Sequence, residues 1–218
     1  MWLMSNVEYA ALTTGASVLM RDGFGLKVLQ CQGNRIVKLF RTKRLLSTSV
    51  VYPYSLRFTR NAKRLNRMGV PSVEVERTFY CHAIRRHGVI YPMLEGEALV
   101  AILANGEAND DLMEKLAGFI AQLHKQKIYF RSLHLGNVLL LPDGRLGLID
   151  VADLSFNWLP LSMWQRRRNF RHLLRVSQHR QLIERFGIER FIECYLDAAG
   201  ISCGEKSRFL SRLVTAPT

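Results

Sequence analysis

Acidic residues are scarce in this chain relative to basic ones. The 218 residues include 31 lysines and arginines but 18 aspartates and glutamates, which gives a formal charge of +13 and a pI near 10.1. The excess of basic charge predicts a partner rich in phosphate or carboxylate, such as nucleic acid, an anionic membrane face or a phosphorylated glycolipid. A solvated basic surface is the alternative interpretation.

The chain also lacks paired cysteines and long apolar runs. Its four cysteines contain no C-x-x-C pair, so zinc motifs are excluded, and we expect free thiols in a reducing compartment. No apolar run approaches the length needed to cross a bilayer, and residues 138–141 suffice only for a strand. Residues 1–8 are too short an apolar stretch for a signal peptide and lack a basic start. We therefore expect a cytoplasmic protein, held peripherally at a membrane by charge.

The first half of the chain has the spacing of a small sheet with one helix. Strands are predicted at 18–20, 26–30, 34–40, 73–81 and 89–94. A helix is predicted over 54–67, where apolar residues recur at helical intervals, and Gly69 and Pro71 end it.

The second half has mainly helical spacing. Asp110 and Asp111 open a predicted helix, and two or three more helices are expected after about Met163, with breaks at 186–187 and 199–200. A hairpin is predicted between them, with strands at 138–141 and 145–149. The pattern predicts an α+β protein with a β-rich N-lobe at 1–94 and a mainly helical C-lobe at 95–218.

The segment 130–137 is the most informative part of the sequence. It aligns without a gap to the kinase catalytic-loop pattern His-Arg-Asp-Leu-x-x-x-Asn. Three residues match, namely Arg131, Leu133 and Asn137, while Ser132 stands where the aspartate base is expected. Asp150 follows Asn137 at the interval that usually separates the loop asparagine from the second metal-binding aspartate of kinases.

The order of elements, with Lys38, Asn137 and Asp150 in sequence, resembles the protein-kinase-like fold. More narrowly, the chain resembles the small kinases of Gram-negative bacteria that phosphorylate sugars of the lipopolysaccharide core, and the related toluene tolerance proteins. The likeness is carried by GVP at 69–71, LEGEAL at 94–99, LH at 123–124, LHLGNVLL at 133–140 and GLIDVADL at 147–154. These phrases span most of the chain in the expected order.

The resemblance implies a site for ATP and Mg²⁺. Asp150 and Asn137 would offer oxygen ligands to the metal, and Lys38 would hold the α- and β-phosphates. The alternatives are an aspartate that ends a strand, an asparagine that caps a loop and an exposed strand-end lysine.

Two further parts of a nucleotide site are implied by the same resemblance. Gly23 and Gly25 would let backbone N–H groups approach the phosphates, although a plain hairpin turn explains these glycines equally well. Backbone groups from Met93 to Glu95 would meet the adenine edge.

The chain departs from active kinases at two places. Residues 54–67 contain no acidic side chain to pair with the strand lysine, and Glu74 or Glu76 is the candidate substitute. Ser132 is the second departure, because a serine near neutral pH is a poor proton acceptor. Losing such a base typically costs about 10²- to 10⁴-fold in rate.

Two nearby residues could replace the missing base. These are Asp153 and His134, although a purely structural role for His134 is the alternative.

A basic stripe is predicted on the helix after Met163. Arg168, Arg171 and Arg175 recur at three and four residues, with His172 and His179 on the same face. Such a stripe could hold anionic lipid headgroups, at about 1 kcal/mol per charge, or phosphates on the lipopolysaccharide core. A solvated helix face is the alternative. Specific nucleic-acid binding is not expected, because aromatic residues are sparse there.

The sequence thus predicts an ATP-dependent phosphotransferase-like protein that acts on a sugar of the lipopolysaccharide core, with a degenerate catalytic loop in which Ser132 replaces the aspartate base. The expected partners are the core or another anionic glycolipid, and the anionic inner-membrane surface. The alternative is a pseudokinase that binds nucleotide and regulates or scaffolds core assembly without catalysis. Ser132 leaves open whether the chain is an enzyme.

Overall fold

The structure is a computed structural model that describes residues 1–23, 25–41, 53–106 and 110–214, apart from the side chains of Arg212 and Val214. The chain divides into two compact units. The first comprises Met1–Glu95 with Asp150–Ala152, and the second comprises Gly96–Ile149 with Asp153–Thr218. The first is rich in strands and the second is mainly helical, so the predicted α+β class is confirmed.

The first unit is built on one six-stranded sheet. Its strands are β1 (Trp2–Met4), β2 (Ser17–Asp22), β3 (Gly25–Cys31), β4 (Arg35–Arg41), β5 (Arg77–Cys81) and β6 (Arg86–Pro92). They lie in the order β1-β5-β6-β4-β3-β2, antiparallel except for the parallel pair β1 and β5. Two helices accompany the sheet, α1 (Asn6–Thr13) and α2 (Tyr54–Arg67).

Helix α2 has the predicted bounds, because its apolar and basic residues separate onto two faces. Phe58, Ala62 and Leu65 are buried on one face, and none of the basic residues of the helix is among its buried residues. Gly69 ends the helix with a φ of 75°, a left-handed conformation that glycine adopts without strain.

Most strand predictions in the first unit are confirmed. The prediction for 73–81 is wrong in its first half, because β5 begins only at Arg77. The preceding segment is tied to the end of α2 instead, where the Ser72 N–H donates to Asn66 Oδ1 at 2.7 Å. Sequence spacing missed β1 and α1. No residue of α1 is fully buried, and its contact with the core comes from the partly buried Tyr9 and Leu12, so its apolar face is weak.

The second unit combines short strands with six helices among its described residues. The strands are β7 (Glu97–Ala98), β8 (Ile128–Phe130), β9 (Val138–Leu140), β10 (Leu146–Leu148) and β11 (Leu154–Phe156). The helices are α3 (Leu99–Ala104), α4 (Asp110–Lys125), α5 (Met163–Arg175), α6 (Ser177–Glu184), α7 (Ile188–Ala199) and α8 (Cys203–Val214). Strand β9 pairs with β7 and β10, and β8 pairs with β11.

The predicted helix from Asp110 and the predicted hairpin of β9 and β10 are confirmed. Four helices follow Met163, rather than two or three. The additional break falls at Val176, whose extended backbone separates α5 from α6 without a glycine or proline to announce it. Among the helices that the structure describes, none combines the length and apolarity needed to span a membrane.

Candidate functional site

Lys38 and Asp150 form an ion pair within the first unit. Lys38 lies in the middle of β4 and is 5% exposed. Its Nζ donates to Asp150 Oδ1 at 2.8 Å, and the Asp150 side chain is 33% exposed. The alternative that Lys38 is an exposed strand-end lysine is therefore wrong.

The surroundings explain why this lysine needs a partner. Lys38 pairs across the sheet with Val28 and Val89, and its Nζ lies 5.6 Å from the centre of the Phe58 ring. A charge buried among apolar groups is costly unless it is paired. Burial lowers the pKa of Lys38 below its ordinary value, and the Asp150 carboxylate opposes that shift.

Asp150 is held in an unusual backbone conformation. Its φ is 56°, in the left-handed region, where a residue other than glycine carries strain. The next residue is fixed from α2, because Asn61 donates its Nδ2 to the Val151 carbonyl at 2.8 Å. Asn61 is buried, so this hydrogen bond is protected from water. Helix α2 thus supplies an amide that holds the backbone beside Asp150, in place of an acidic partner for the lysine.

The two predicted substitutes for that acidic partner lie elsewhere. Glu76 pairs with Arg35 at 3.2 Å, and Glu74 is exposed. The hypothesis that either glutamate pairs with Lys38 is wrong, and Asp150 takes that place.

The remaining nucleotide-site candidates in the first unit stay predictions. Gly23 and Gly25 lie in the turn between β2 and β3, and the φ of 111° at Gly25 suits a glycine. A phosphate-binding loop and a plain hairpin turn both stay open as interpretations. At the end of β6, the Met93 N–H already donates to the Asn34 carbonyl at 2.9 Å. This leaves the Met93 carbonyl and the backbone groups up to Glu95 for an adenine edge.

Asn137 closes the catalytic-loop segment in the second unit. Its buried side chain donates from Nδ2 to the Ser132 carbonyl at 3.0 Å, and its own carbonyl accepts from the Ile149 N–H at 3.0 Å. Asn137 therefore does cap the loop, as one interpretation proposed. That hydrogen bond uses the amide nitrogen and leaves Oδ1 as the end of the side chain that can accept or coordinate.

The donor chemistry of these residues fits Mg²⁺. Within the part of the chain that the structure describes, no three histidine, cysteine, aspartate or glutamate side chains cluster to hold a metal ion. Mg²⁺ at nucleotide sites commonly uses one or two protein carboxylates together with substrate phosphates, so it does not require such a cluster. Asp150 and Asn137 offer a carboxylate and an amide oxygen. Their role as metal ligands stays a prediction.

His134 takes a structural position in the second unit. Its Nδ1 accepts from the Gly136 N–H at 3.2 Å, and its ring stacks on His179 with centroids 5.5 Å apart. These contacts favour the structural interpretation of His134. His179 itself lies buried on α6, so the prediction that it shares the exposed basic face of α5 is wrong.

The catalytic-loop segment and the basic stripe meet at one pocket, which we call the arginine pocket. It has a volume of about 370 Å³. It is lined by Arg131, Ser132, Asp153, Arg168, Arg171, His172 and Arg175. The structure therefore brings Ser132 together with all three predicted stripe arginines, and it adds Asp153 and Arg131, which sequence spacing alone did not join to them.

The arginine pocket is strongly positive. Four arginines face a single carboxylate, that of Asp153. Burial lowers the pKa of His172, the charges of Arg175, Arg168 and Arg131 lower it further, and the Asp153 carboxylate opposes these effects. The pocket therefore attracts anions.

A buried hydrogen-bond chain, which we call the loop relay, supports the start of the catalytic-loop segment. Asn169 donates its Nδ2 to the Phe130 carbonyl at 2.9 Å, so its Oδ1 accepts from His124 Nε2–H at 2.9 Å. The Tyr195 hydroxyl donates to His124 Nδ1 at 2.8 Å and accepts from Arg166 at 2.9 Å. Sequence reasoning missed this chain, because its members come from α4, α5 and α7, and the one signal was the LH phrase that contains His124.

The loop relay makes stability depend on pH. Burial lowers the pKa of His124 to about 4, from an ordinary 6.5. Between pH 6.5 and 4, His124 is protonated in the unfolded chain but neutral in the folded chain. The free energy of unfolding should therefore decrease as the pH drops through this range, by at most about 3 kcal/mol. Urea unfolding at several pH values measures this slope. His124→Gln should be less stable at pH 7, but its free energy of unfolding should depend less on pH than that of the wild type. The exposed control His82→Gln should keep the wild-type dependence on pH. A wild-type slope in His124→Gln would contradict the assignment.

Comparison with known proteins gives a partial match. No family model matches the chain. A 3-deoxy-D-manno-octulosonic acid kinase of Xylella fastidiosa (strain M12) is 30% identical over 90 residues, which cover 41% of this chain and 35% of that kinase. The chain thus matches about a third of the length of this curated relative. The predicted resemblance to bacterial sugar kinases is confirmed as a sequence similarity over this region.

Solved structures show a more distant likeness. Two structures of the bifunctional kinase-methyltransferase WbdD superpose with a TM-score of 0.49 at 15% identity, over 86% of this chain and 47% or 48% of the WbdD chain. A third, of monomeric WbdD, has the same TM-score at 14% identity and covers 87% of this chain and 44% of that one. The chain spans less than half of these proteins, and the likeness does not decide its substrate.

Proposed function

We propose that this chain is an ATP- and Mg²⁺-dependent phosphotransferase that acts on a sugar of the lipopolysaccharide core. The observation that carries the proposal is the ion pair between buried Lys38 and partly exposed Asp150. A phosphotransferase needs little covalent chemistry from the protein, but it needs fixed charges that position and neutralise phosphates. The similarity to a 3-deoxy-D-manno-octulosonic acid kinase supports a sugar as the acceptor.

Each residue has a defined task in this proposal. Lys38 would bind the α- and β-phosphates of ATP. Asp150 and Asn137 would each offer an oxygen ligand to Mg²⁺, which would supply charge neutralisation. The acceptor hydroxyl oxygen forms a bond to the γ-phosphorus while the bond from that phosphorus to the bridging oxygen breaks. The products are a phosphorylated sugar and ADP.

We assign the proton of the acceptor hydroxyl to Asp153. A serine cannot take this proton at a useful rate near neutral pH. Asp153 lines the same pocket as Ser132 and provides the only carboxylate among its lining residues. His134 is less suited, because its Nδ1 already accepts a backbone hydrogen bond.

We also propose that the protein works at an anionic membrane surface. Trp158 is 94% exposed and Leu159 is 76% exposed in the segment that precedes the arginine-rich helix α5. Exposed tryptophan and leucine beside basic residues are typical of segments that lie in the membrane interface. An acceptor on a glycolipid would be met at the same surface.

A pseudokinase is the second candidate, favoured by Ser132. The test measures phosphate transfer from ATP to lipopolysaccharide core oligosaccharide by the wild type and by Ser132→Asp, with a thermal shift by MgATP as the binding control. We expect the wild type itself to transfer phosphate, because Asp153 can act as the base. Transfer by Ser132→Asp alone, with the wild type stabilised by MgATP but inert, would establish the pseudokinase instead.

A further inference from the structure

The second unit contains another pocket, which shares no residue with the arginine pocket. Its volume is about 510 Å³, within the range of ligand-binding pockets. The least exposed of its lining side chains are apolar, namely Ile102, Leu112 and Leu141. Leu140 and Pro142 add two more apolar side chains. We call this pocket the apolar groove, and none of its residues has a task in the proposed phosphate transfer.

Two carboxylates line the apolar groove without a positive partner. Glu97 belongs to β7, and Asp111 belongs to the first turn of α4. Neither forms an ion pair within the described part of the chain. The lysine in the lining, Lys115, donates its Nζ to the Gly144 carbonyl at 3.1 Å instead. The groove therefore presents two acidic groups to a ligand, in a chain whose formal charge is +13.

Asp111 differs in this respect from the acidic residues near it on α4. Asp110 and Glu114 both pair with Arg190 of α7, at 2.7 and 3.2 Å. Asp111 lines the apolar groove instead. The helix thus uses two of its acidic side chains to hold α7 and leaves a third at the groove.

The walls of the apolar groove are fixed before any ligand binds. Gly96 has a φ of 143°, and a Cβ at this position would lie 2.6 Å from the Leu140 carbonyl oxygen. Glycine therefore allows the chain before β7 to approach β9 this closely. In addition, the hydrogen bond from Lys115 to Gly144 ties α4 to the hairpin turn between β9 and β10. A preformed groove loses little conformational entropy when it binds a ligand.

The chemistry of the lining restricts the ligand. A purely apolar ligand would cover the two carboxylates without replacing the hydrogen bonds that they lose to water. An acidic protein or a nucleic acid would be repelled by them. Because the carboxylates come from different elements, a ligand that pairs with both needs two cationic groups beside an apolar one. A protein segment with an aliphatic side chain between basic ones meets this requirement, because apolar pockets take aliphatic anchors and carboxylates form charge-assisted hydrogen bonds with lysine and arginine.

We propose that the apolar groove is a docking site for a partner protein, and that it binds a segment in which an aliphatic side chain lies between lysine or arginine residues. This inference does not depend on the proposed function. It adds a different class of ligand, since the docked segment is basic whereas the proposed substrates are anionic.

Selection of displayed random heptapeptides against the full chain tests the proposal. We expect the enriched sequences to carry leucine, isoleucine or valine next to lysine or arginine. The affinity of one enriched peptide is then measured by fluorescence anisotropy. Replacing its aliphatic residue with serine should weaken binding to the wild type. The double substitution of Glu97→Lys with Asp111→Lys should weaken binding at least about 10-fold, since the loss of one charge-assisted hydrogen bond has an effect of that size.

The matched control is the double substitution of Glu189→Lys with Glu193→Lys. Both glutamates are exposed on α7, and neither lines the apolar groove. This variant undergoes the same change of charge and should bind the peptide as the wild type does. Circular dichroism checks that both double variants are folded, and the serine-substituted peptide tests the groove on the wild type alone.

Several results would overturn the inference. If no sequence is enriched, or if the enriched sequences are acidic, the groove does not take a basic segment. An affinity that either the serine replacement or the charge reversal at the groove leaves unchanged would place the peptide elsewhere. Dimerisation of the wild type that is lost in the groove variant, with no selected peptide, would assign the groove to a second copy of the chain. MgATP binding, measured in parallel, separates the two proposals, because a wild type that binds the selected peptides but no MgATP contradicts the phosphotransferase alone.

Discussion

Lys38→Met is expected to raise the Kd for MgATP about 10- to 100-fold. The substitution removes the buried ammonium group that we assign to the nucleotide phosphates, and a hydrogen bond to a charged group contributes about 1.5–3 kcal/mol. Methionine fills a similar volume among Phe58 and the neighbouring valines, so the sheet should keep its packing. The former partner Asp150 is partly exposed and stays hydrated. Isothermal titration calorimetry measures the change.

The matched control for this substitution is Lys63→Met. Lys63 is an exposed lysine on α2, so its replacement removes the same charge without touching the pair. It should bind MgATP as the wild type does. If the wild type and Lys38→Met bind MgATP with equal affinity, and circular dichroism shows that both are folded, then Lys38 has a structural role in the sheet and does not bind the nucleotide.

Asp153→Asn is expected to lower kcat for phosphate transfer about 10²- to 10⁴-fold, the range associated with loss of a general base. Asparagine keeps the size and polarity of the side chain but is a far weaker base. Because the substitution leaves Lys38 and Asp150 in place, the KM for ATP should change little. Steady-state kinetics with core oligosaccharide as acceptor provide both constants.

Asp143→Asn is the control for Asp153→Asn. Asp143 is exposed in the hairpin turn between β9 and β10, where it pairs with Arg145. Its replacement should leave kcat near the wild-type value. A rise in the KM for ATP with kcat unchanged in Asp153→Asn would mean that Asp153 supports the fold near the nucleotide rather than accepting a proton.

The parts of the fold that the sequence predicts are those with strong local patterns. Helix α2 has an apolar face at helical intervals and a glycine at its end, and both of its bounds were predicted. The helix break at Val176 has no glycine or proline, and α1 has no fully buried residue, so spacing could not locate either one. Local chemistry decides a helix end only when a residue such as glycine or proline enforces it.

In the candidate site, too, the sequence predicts the residues with a local motif but not the contacts between distant residues. Lys38, Asn137 and Asp150 could be selected by motif and interval, but the motif did not reveal that Lys38 is buried or that Asp150 is its partner. Glu74 and Glu76 are the acidic residues closest to α2 in the sequence, whereas the observed partner of Lys38 is Asp150, far along the chain. Pairing between residues far apart along the chain depends on the tertiary fold.

Tertiary placement also explains the two features of the second unit that spacing could not supply. The stripe on α5 was visible at helical intervals, whereas its meeting with Ser132 and Asp153 depends on how separate segments pack. The loop relay joins His124, Asn169 and Tyr195 from three helices. Each of these residues looks like an ordinary helix position in the sequence.

The most direct test of the central claim is a calorimetric titration of the full chain with ATP, with and without Mg²⁺. We expect saturable binding that is much tighter with Mg²⁺, because we assign a carboxylate and an amide oxygen to a metal that accompanies the phosphates. Absence of ATP binding under both conditions, or an affinity for ATP that does not change with Mg²⁺, would contradict the central claim.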